Sequence, residues 1–156
     1  MYPVSTPEVI ILDRVRQDHL AAGRLERMMR GVSTDRVLEV DDAGLAAIVQ
    51  ERGWHLPPKR TGQHRMTRHP AIIFNTFRWL SDDESARLAA EHPALARHML
   101  LGRGAWSRRD HTVFRREQDC VCQSAWEIHC AYGCLHACDY CHVPPYFNIM
   151  LNLEEL

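Results

Sequence analysis

The 156-residue sequence predicts an α/β protein with parallel strands, because short apolar runs alternate with amphipathic helical segments. Its 46% hydrophobic and 25% charged residues are typical of a folded globular chain. The alternation is clearest near the amino end, where two strand–helix units follow each other. They are a strand within Glu8–Leu12, a helix over about Gln17–Arg30, a strand over Arg36–Val40, and a helix capped by Asp41 or Asp42 and ending near Gly53.

Local signals place further elements in the middle of the chain. The apolar run Ala71–Phe77 predicts another strand. Ser81 followed by Glu84 has the spacing of a capping box, so a helix is expected to begin there. Pro93 should interrupt this helix, and a second helical piece is expected over Ala94–Leu101.

The carboxy-terminal third predicts two more strands. The first spans Ala125–Tyr132, where alternation would point Cys130 to the buried face as a small core residue. The second spans Phe147–Leu151. Asn152, three positions before Glu155, resembles the cap of a further helix.

Charge and hydropathy limit the classes of partner. The formal net charge of −1 argues against attraction of the whole surface to nucleic acid or to an anionic membrane. No window approaches the roughly 18 consecutive apolar residues of a membrane helix, and no secretory signal pattern opens the sequence, so we expect a cytoplasmic protein without a membrane partner. Two basic segments, Arg52–Arg68 and Arg103–Arg116, could contact phosphates, although a solvated linker is the simpler interpretation.

The cysteines are strongly clustered. All six fall between positions 120 and 141, and the remainder of the chain has none. In a reducing cytoplasm such a cluster indicates a metal or redox site, because a disulfide framework would be spread through a small secreted chain. The six are Cys120, Cys122, Cys130, Cys134, Cys138 and Cys141.

Three of these cysteines form the pattern C-x3-C-x2-C. Cys134, Cys138 and Cys141 can converge from one loop, and iron–sulfur clusters are held by thiolates at such short spacings. Because these clusters usually take four thiolates, three close ligands imply a distant fourth ligand or an open iron. A tetrahedral zinc site stays as the alternative, with a fourth ligand drawn from Cys122, Cys130, His129, His136 or His142.

The cysteine loop and its flanks resemble a known family. The C-x3-C-x2-C pattern follows a strand and carries an aromatic residue, Tyr140, directly before the third cysteine, as in the radical S-adenosylmethionine (SAM) superfamily. The entry Tyr132-Gly133-Cys134 and the segment Tyr146–Leu156 (YFNIMLNLEEL) are similar to the spore photoproduct lyase branch. The resemblance covers Trp126–Leu156, about a fifth of the chain.

The resemblance implies a cofactor and a reaction. Cys134, Cys138 and Cys141 would ligate three irons of a [4Fe–4S] cluster, and the amino and carboxylate groups of SAM would bind the fourth. A flavodoxin- or ferredoxin-type donor would supply the electron that cleaves SAM to a deoxyadenosyl radical, with Tyr140 packed near the adenine. In this branch the enzyme is a lyase, and its substrate is a methylene-bridged thymine dimer in DNA.

The same resemblance suggests a division of the chain. Residues 1–112 would form an amino-terminal α/β region with basic connectors, and residues 113–156 the first strand and cluster loop of an incomplete radical SAM (β/α) barrel. Only 15 residues follow Cys141, whereas such barrels need on the order of 200 residues, so we expect a truncated and inactive member. The alternative is a small iron–sulfur or zinc module that contacts nucleic acid or a protein partner. No sequence signal predicts an oligomeric state.

Overall fold

The computed structural model describes residues 3–56, 69–96, 100–102, 107–109, 126–136 and 143–155. The strands are β1 (Val4–Leu12), β2 (Val32–Val40), β3 (Ala71–Asn75), β4 (Ser107–Arg109), β5 (Trp126–Ile128), β6 (Ala131–Gly133) and β7 (Phe147–Met150). The α-helices are α1 (Asp13–Gln17), α2 (His19–Met29), α3 (Asp42–Glu51) and α4 (Asp82–Glu91). Short 3-10 turns cover Pro93–Leu95 and Leu153–Glu155.

A five-stranded, mostly parallel sheet organises the fold. Its strand order is β2-β1-β3-β7-β6, and only β6 runs antiparallel to its neighbour. β4 and β5 pair separately as a two-stranded antiparallel ribbon. The prediction of a mixed α/β protein with parallel strands is therefore confirmed. Below, the carboxyl edge of the sheet is the side where β1, β2, β3 and β7 end, and the amino edge is the opposite side.

Side-chain caps mark the starts of three helices, and two of these caps, at α3 and α4, were predicted; the helix expected over about Gln17–Arg30 is instead divided at Asp18 into α1 and α2. The Asp18 carboxylate accepts hydrogen bonds from the first turn of α2, and the Asp41 carboxylate accepts one from the Gly44 N–H of α3. Of the two aspartates predicted for α3, Asp41 is therefore the cap. Ser81 and Glu84 form the predicted capping box at the start of α4. The helix ends at Glu91, just before Pro93.

The core lies along the two central strands. All five residues of β3 are buried, and the second half of β1, Val9–Leu12, is buried as well. Apolar residues of the helices cover these strands, among them Val15, Leu25, Leu45 and Val49. Continuous burial is what parallel strands with covered faces require, and it explains the unbroken apolar runs in the sequence.

The structure corrects three expectations near the carboxy terminus. The single strand expected over Ala125–Tyr132 is divided into β5 and β6, which belong to different sheets. Cys130 lies in the bend between them and is exposed, so its assignment as a core residue is wrong. Asn152 does not cap a helix with its side chain, because its amide accepts from the Phe77 N–H at 2.7 Å and donates to the Phe77 carbonyl at 3.0 Å. In the described residues the 3-10 turn Leu153–Glu155 follows it.

The chain adds its first three strands on both sides of β1. The connection from β1 leads to β2 on one side, and the connection from β2 leads back across β1 to β3 on the other. Right-handed crossovers then place α2 and α3 on opposite faces of the sheet. The carboxyl ends of β1 and β3 therefore flank a topological switch point, the position where open α/β sheets bind ligands.

None of the helices in the described ranges combines the length and apolar character needed to cross a bilayer.

Candidate functional site

Cys134 lies where β6 ends at the amino edge of the sheet. Gly133, directly before it, pairs with Phe147 and has a φ of 126°, a value that L-residues with a side chain rarely adopt. A Cβ on Gly133 would come within 1.7 Å of the Tyr146 carbonyl oxygen. The Cys134 N–H donates to the Pro144 carbonyl at 3.1 Å. The first cysteine of the motif is thus held by backbone contacts to the segment that leads into β7.

The thiol of Cys134 has the surroundings expected of a ligand. The residue is half-buried and is not part of a disulfide. Its Sγ accepts a hydrogen bond from the backbone N–H of His136 at 3.5 Å. Backbone N–H groups that point at cysteine sulfur tune the potential of iron–sulfur clusters. Cys134 therefore fits the chemistry of a cluster ligand.

The other predicted site residues lie outside the described residues. These are Cys138 and Cys141 as ligands and Tyr140 as the residue near the adenine. Cys120, Cys122 and His142 also lie outside them. Within the described ranges no three His, Cys, Asp or Glu side chains converge as a metal site.

Cys130 occupies the opposite end of β6. Its carbonyl accepts the Met150 N–H at 2.8 Å, which places it at the carboxyl edge. Four residue steps along the extended chain separate its Cα from that of Cys134 by about 13 Å. Two sulfurs on one zinc ion lie within about 4 Å of each other, so Cys130 does not share a single ion with Cys134.

Aromatic and charged side chains back the amino edge. The Trp54 and Tyr146 rings are 4.8 Å apart and both are buried. Arg52 lies over the Trp54 ring at 4.9 Å and forms an ion pair with the buried Glu8. The first arginine of the predicted basic segment Arg52–Arg68 is therefore engaged inside the fold, whereas positions 57–68 lie outside the described residues.

A second polar cluster lies at the carboxyl edge, and the sequence analysis did not identify it. The Arg14 guanidinium donates to Asn75 Oδ1 at 2.6 and 3.0 Å and to Asp42 Oδ1 at 2.6 Å. Arg78 Nη1 donates to the other oxygen of Asp42 at 2.8 Å. The backbone carbonyls of Leu100 and Leu101 accept from Arg14 and Arg78 respectively. We call Arg14, Asp42, Asn75 and Arg78 the arginine cluster.

Charge in the arginine cluster is incompletely balanced. Burial lowers the pKa of the Arg14 guanidinium, and the like charge of Arg78 lowers it further. Burial would raise the pKa of Asp42, but Arg14 and Arg78 outweigh this effect and hold the pKa below its usual value. Asp42 is therefore ionised at neutral pH, and its carboxylate forms ion pairs with both Arg14 and Arg78.

The positions of the arginine-cluster residues at strand ends could have pointed to this site from the sequence. Arg14, Asp42 and Asn75 each stand at or within two residues of a strand end on the carboxyl edge, and β1 and β3 flank the switch point. Polar residues at such positions are candidates for ligand contacts in α/β folds.

Comparisons of the chain with protein-family models, with curated proteins and with solved structures find no match.

Proposed function

We propose that this chain is a radical SAM protein similar to the spore photoproduct lyases, and that Cys134, Cys138 and Cys141 hold a [4Fe–4S] cluster with one iron open to SAM. The observation that carries the proposal furthest is the thiol of Cys134, which is half-buried and accepts the His136 N–H at 3.5 Å. The cysteine spacing supplies the other two ligands. In this proposal β6, the antiparallel edge strand of the sheet, leads into the cluster loop.

The described residues would form one wall of the proposed site. Gly133 and Pro144 hold Cys134 against the strand β7, and the buried Tyr146 and Trp54 rings lie behind that contact. Burial raises the pKa of the Tyr146 hydroxyl, with a smaller contribution from Tyr132, so the phenol stays neutral and adds no charge beside the cluster. The protein's own contribution is to orient the thiolates and exclude water from this wall.

Bound to these thiolates, the cluster with SAM would supply one-electron cleavage of the sulfonium. The electron would come from a flavodoxin- or ferredoxin-type donor, and the proposed substrate is a methylene-bridged thymine dimer in DNA. Both rest on the resemblance of residues 126–156 to the lyase branch. Binding of the cluster depends on this chain's own thiols, so it is the property to test.

Anaerobic reconstitution with iron and sulfide tests the proposal. Iron and acid-labile sulfide should appear in near-equal amounts, about four of each per chain. Addition of SAM should then change the electron paramagnetic resonance spectrum of the reduced cluster, because SAM would bind the open iron. Cys134→Ala and Cys138→Ala should abolish cluster loading.

Cys130→Ala is the matched control, because Cys130 is the described cysteine at the far end of the same strand. This variant should load a full cluster and respond to SAM as the parent chain does. Stoichiometric zinc without iron, or a spectrum unchanged by SAM, would rule out the open cluster. Loss of metal in Cys130→Ala as well would contradict the three-cysteine assignment.

A further inference from the structure

The arginine cluster occupies the position where an α/β sheet of this order offers a ligand site. Arg14 follows β1 directly after Asp13, and Asn75 ends β3, so the Arg14–Asn75 hydrogen bonds cross the switch point itself. Ligands of open α/β sheets bind at this place, outside the carboxyl ends of the strands. A guanidinium fixed here predicts that the ligand is an anion.

One donor group in the cluster has no acceptor. Nη2 of Arg78 is buried, and within the described residues it makes no hydrogen bond. Its orientation is fixed, because Arg78 Nε donates to the Leu101 carbonyl at 2.7 Å and Nη1 donates to Asp42 at 2.8 Å. Buried guanidinium N–H groups are costly to leave unpaired, so such a group calls for a bound water or ion.

Backbone packing holds the loop that contains Leu101 and Gly102 close to Arg78. Gly102 has a φ of 77°, and a Cβ there would lie 2.5 Å from the Thr76 carbonyl oxygen. The Gly102 carbonyl accepts the Arg78 N–H at 2.8 Å. Main-chain contacts therefore fix the Arg78 backbone beside the loop whose Leu101 carbonyl accepts from its Nε, and Nη2 is the guanidinium nitrogen without an acceptor in the described residues.

The charges of the cluster also favour an anion. Two guanidinium groups share the single carboxylate of Asp42, and the repulsion between them contributes to the lowered pKa of Arg14. Of the neighbouring acids, Asp13 acts on Arg14 more weakly than Asp42 does, and the Asp41 carboxylate is engaged with the Gly44 N–H. The N-terminus of α3 begins at Asp42 and adds a positive dipole end at the same edge.

We propose that the arginine cluster binds a phosphate group, which accepts from Nη2 of Arg78, while Arg14 adds its positive charge and Asp42 positions both guanidinium groups. Guanidinium N–H groups match the oxygens of a phosphate, and one negative charge of the phosphate would balance the single positive charge that Asp42 leaves uncompensated. The side chains of Arg14, Asp42 and Arg78 are 16%, 17% and 22% exposed, so the cluster is shielded but open to solvent. This inference does not depend on the proposed iron–sulfur cluster, because Cys134 lies at the opposite edge of the sheet.

Calorimetric titration of the full chain with inorganic phosphate tests the proposal, with sodium chloride at equal ionic strength as the reference. Phosphate should bind to one site, and Arg78→Gln should weaken it at least tenfold, because charge-assisted hydrogen bonds are lost. Arg78→Lys should weaken binding less, since it keeps the charge and loses the fork. A parallel titration with adenosine monophosphate distinguishes the sources of the phosphate: tighter binding than inorganic phosphate indicates a phosphomonoester ligand, and equal or weaker binding indicates the free ion.

Arg16→Gln is the matched control, because Arg16 is also on α1 but forms an exposed ion pair with Glu39. It should bind phosphate as the parent chain does. If Arg78→Gln does not fold, the arginine Nε–H nuclear magnetic resonance signals of the parent chain give a second measurement. Phosphate should shift the signals of Arg14 and Arg78 and not that of Arg16. Absence of binding above the chloride reference, or equal weakening by Arg16→Gln, would overturn the proposal.

Discussion

Replacing Asp42 by Asn gives the sharpest test of the arginine cluster as a structural unit. The substitution keeps the size of the side chain and removes the charge that Arg14 and Arg78 share at 2.6 and 2.8 Å. Breaking a fully buried ion pair costs about 3–5 kcal/mol. Because the three side chains retain roughly a fifth of their exposure, we expect a smaller loss, about 2–3 kcal/mol. With a urea dependence near 2 kcal/mol per molar, the unfolding midpoint should fall by about 1 M or slightly more.

Glu39→Gln serves as the matched control for this measurement. It breaks the Arg16–Glu39 pair, whose side chains are 45% and 52% exposed, and should cost no more than about 1 kcal/mol. The difference between Asp42→Asn and the parent chain should also depend on pH. Because the pKa of Asp42 is lowered in the folded chain, its contribution is present above the unfolded value near 3.9 and is lost as pH falls through the folded value. Equal losses of stability in both variants at pH 7 would mean that the arginine cluster does not act as a buried structural unit.

Three further predictions concern single side chains. Tyr146→Phe removes a buried hydroxyl that has no hydrogen-bond partner within the described residues, so urea unfolding should show equal stability or a gain of about 1 kcal/mol; a loss larger than that would contradict the interpretation. Ser81→Ala removes the cap of α4 and should lower stability by about 1 kcal/mol in thermal unfolding, and an unchanged transition would show that the capping box contributes nothing. Hydrogen bonding to Arg24 lowers the pKa of Glu154 to about 2. The free energy of unfolding of the parent chain should therefore exceed that of Glu154→Gln by its full amount above pH 4.5, and the difference should disappear as pH falls towards 2. A difference in unfolding free energy that does not depend on pH would refute this prediction.

The fold could be predicted where local chemistry determines it. Caps such as Asp41 and Ser81 act on residues two to four positions away, so their signal is contained in a short stretch of sequence. Continuous apolar runs similarly indicated buried parallel strands. The division of Ala125–Tyr132 into two strands was not predictable, because it depends on pairing with β4 and β7, which are distant in the chain. Local alternation alone cannot distinguish one long strand from two short ones in different sheets.

The two candidate sites differ in the same way. The cysteine motif is contained in eight consecutive residues, so its spacing is visible without a structure. The arginine cluster joins Arg14 to Asp42 across 28 positions and to Asn75 across 61. Only the strand order, which brings the ends of β1 and β3 together, makes them neighbours. Charged residues near strand ends are visible in the sequence, but the sheet topology is needed to show which of them are neighbours.

The separation of the two sites has a measurable consequence. Cys134 lies at the amino edge and Asp42 at the carboxyl edge, and a strand of four residues such as β7 rises about 13 Å from one edge to the other. Sites more than 7–10 Å apart without shared partners usually act additively. Asp42→Asn should therefore leave iron and sulfide loading unchanged, and Cys134→Ala should leave phosphate affinity unchanged. In the metal-free chain the stability losses of the double variant should equal the sum of the single losses within about 0.5 kcal/mol. A deviation above 1 kcal/mol, or loss of iron in Asp42→Asn, would mean that the two edges are coupled through the sheet.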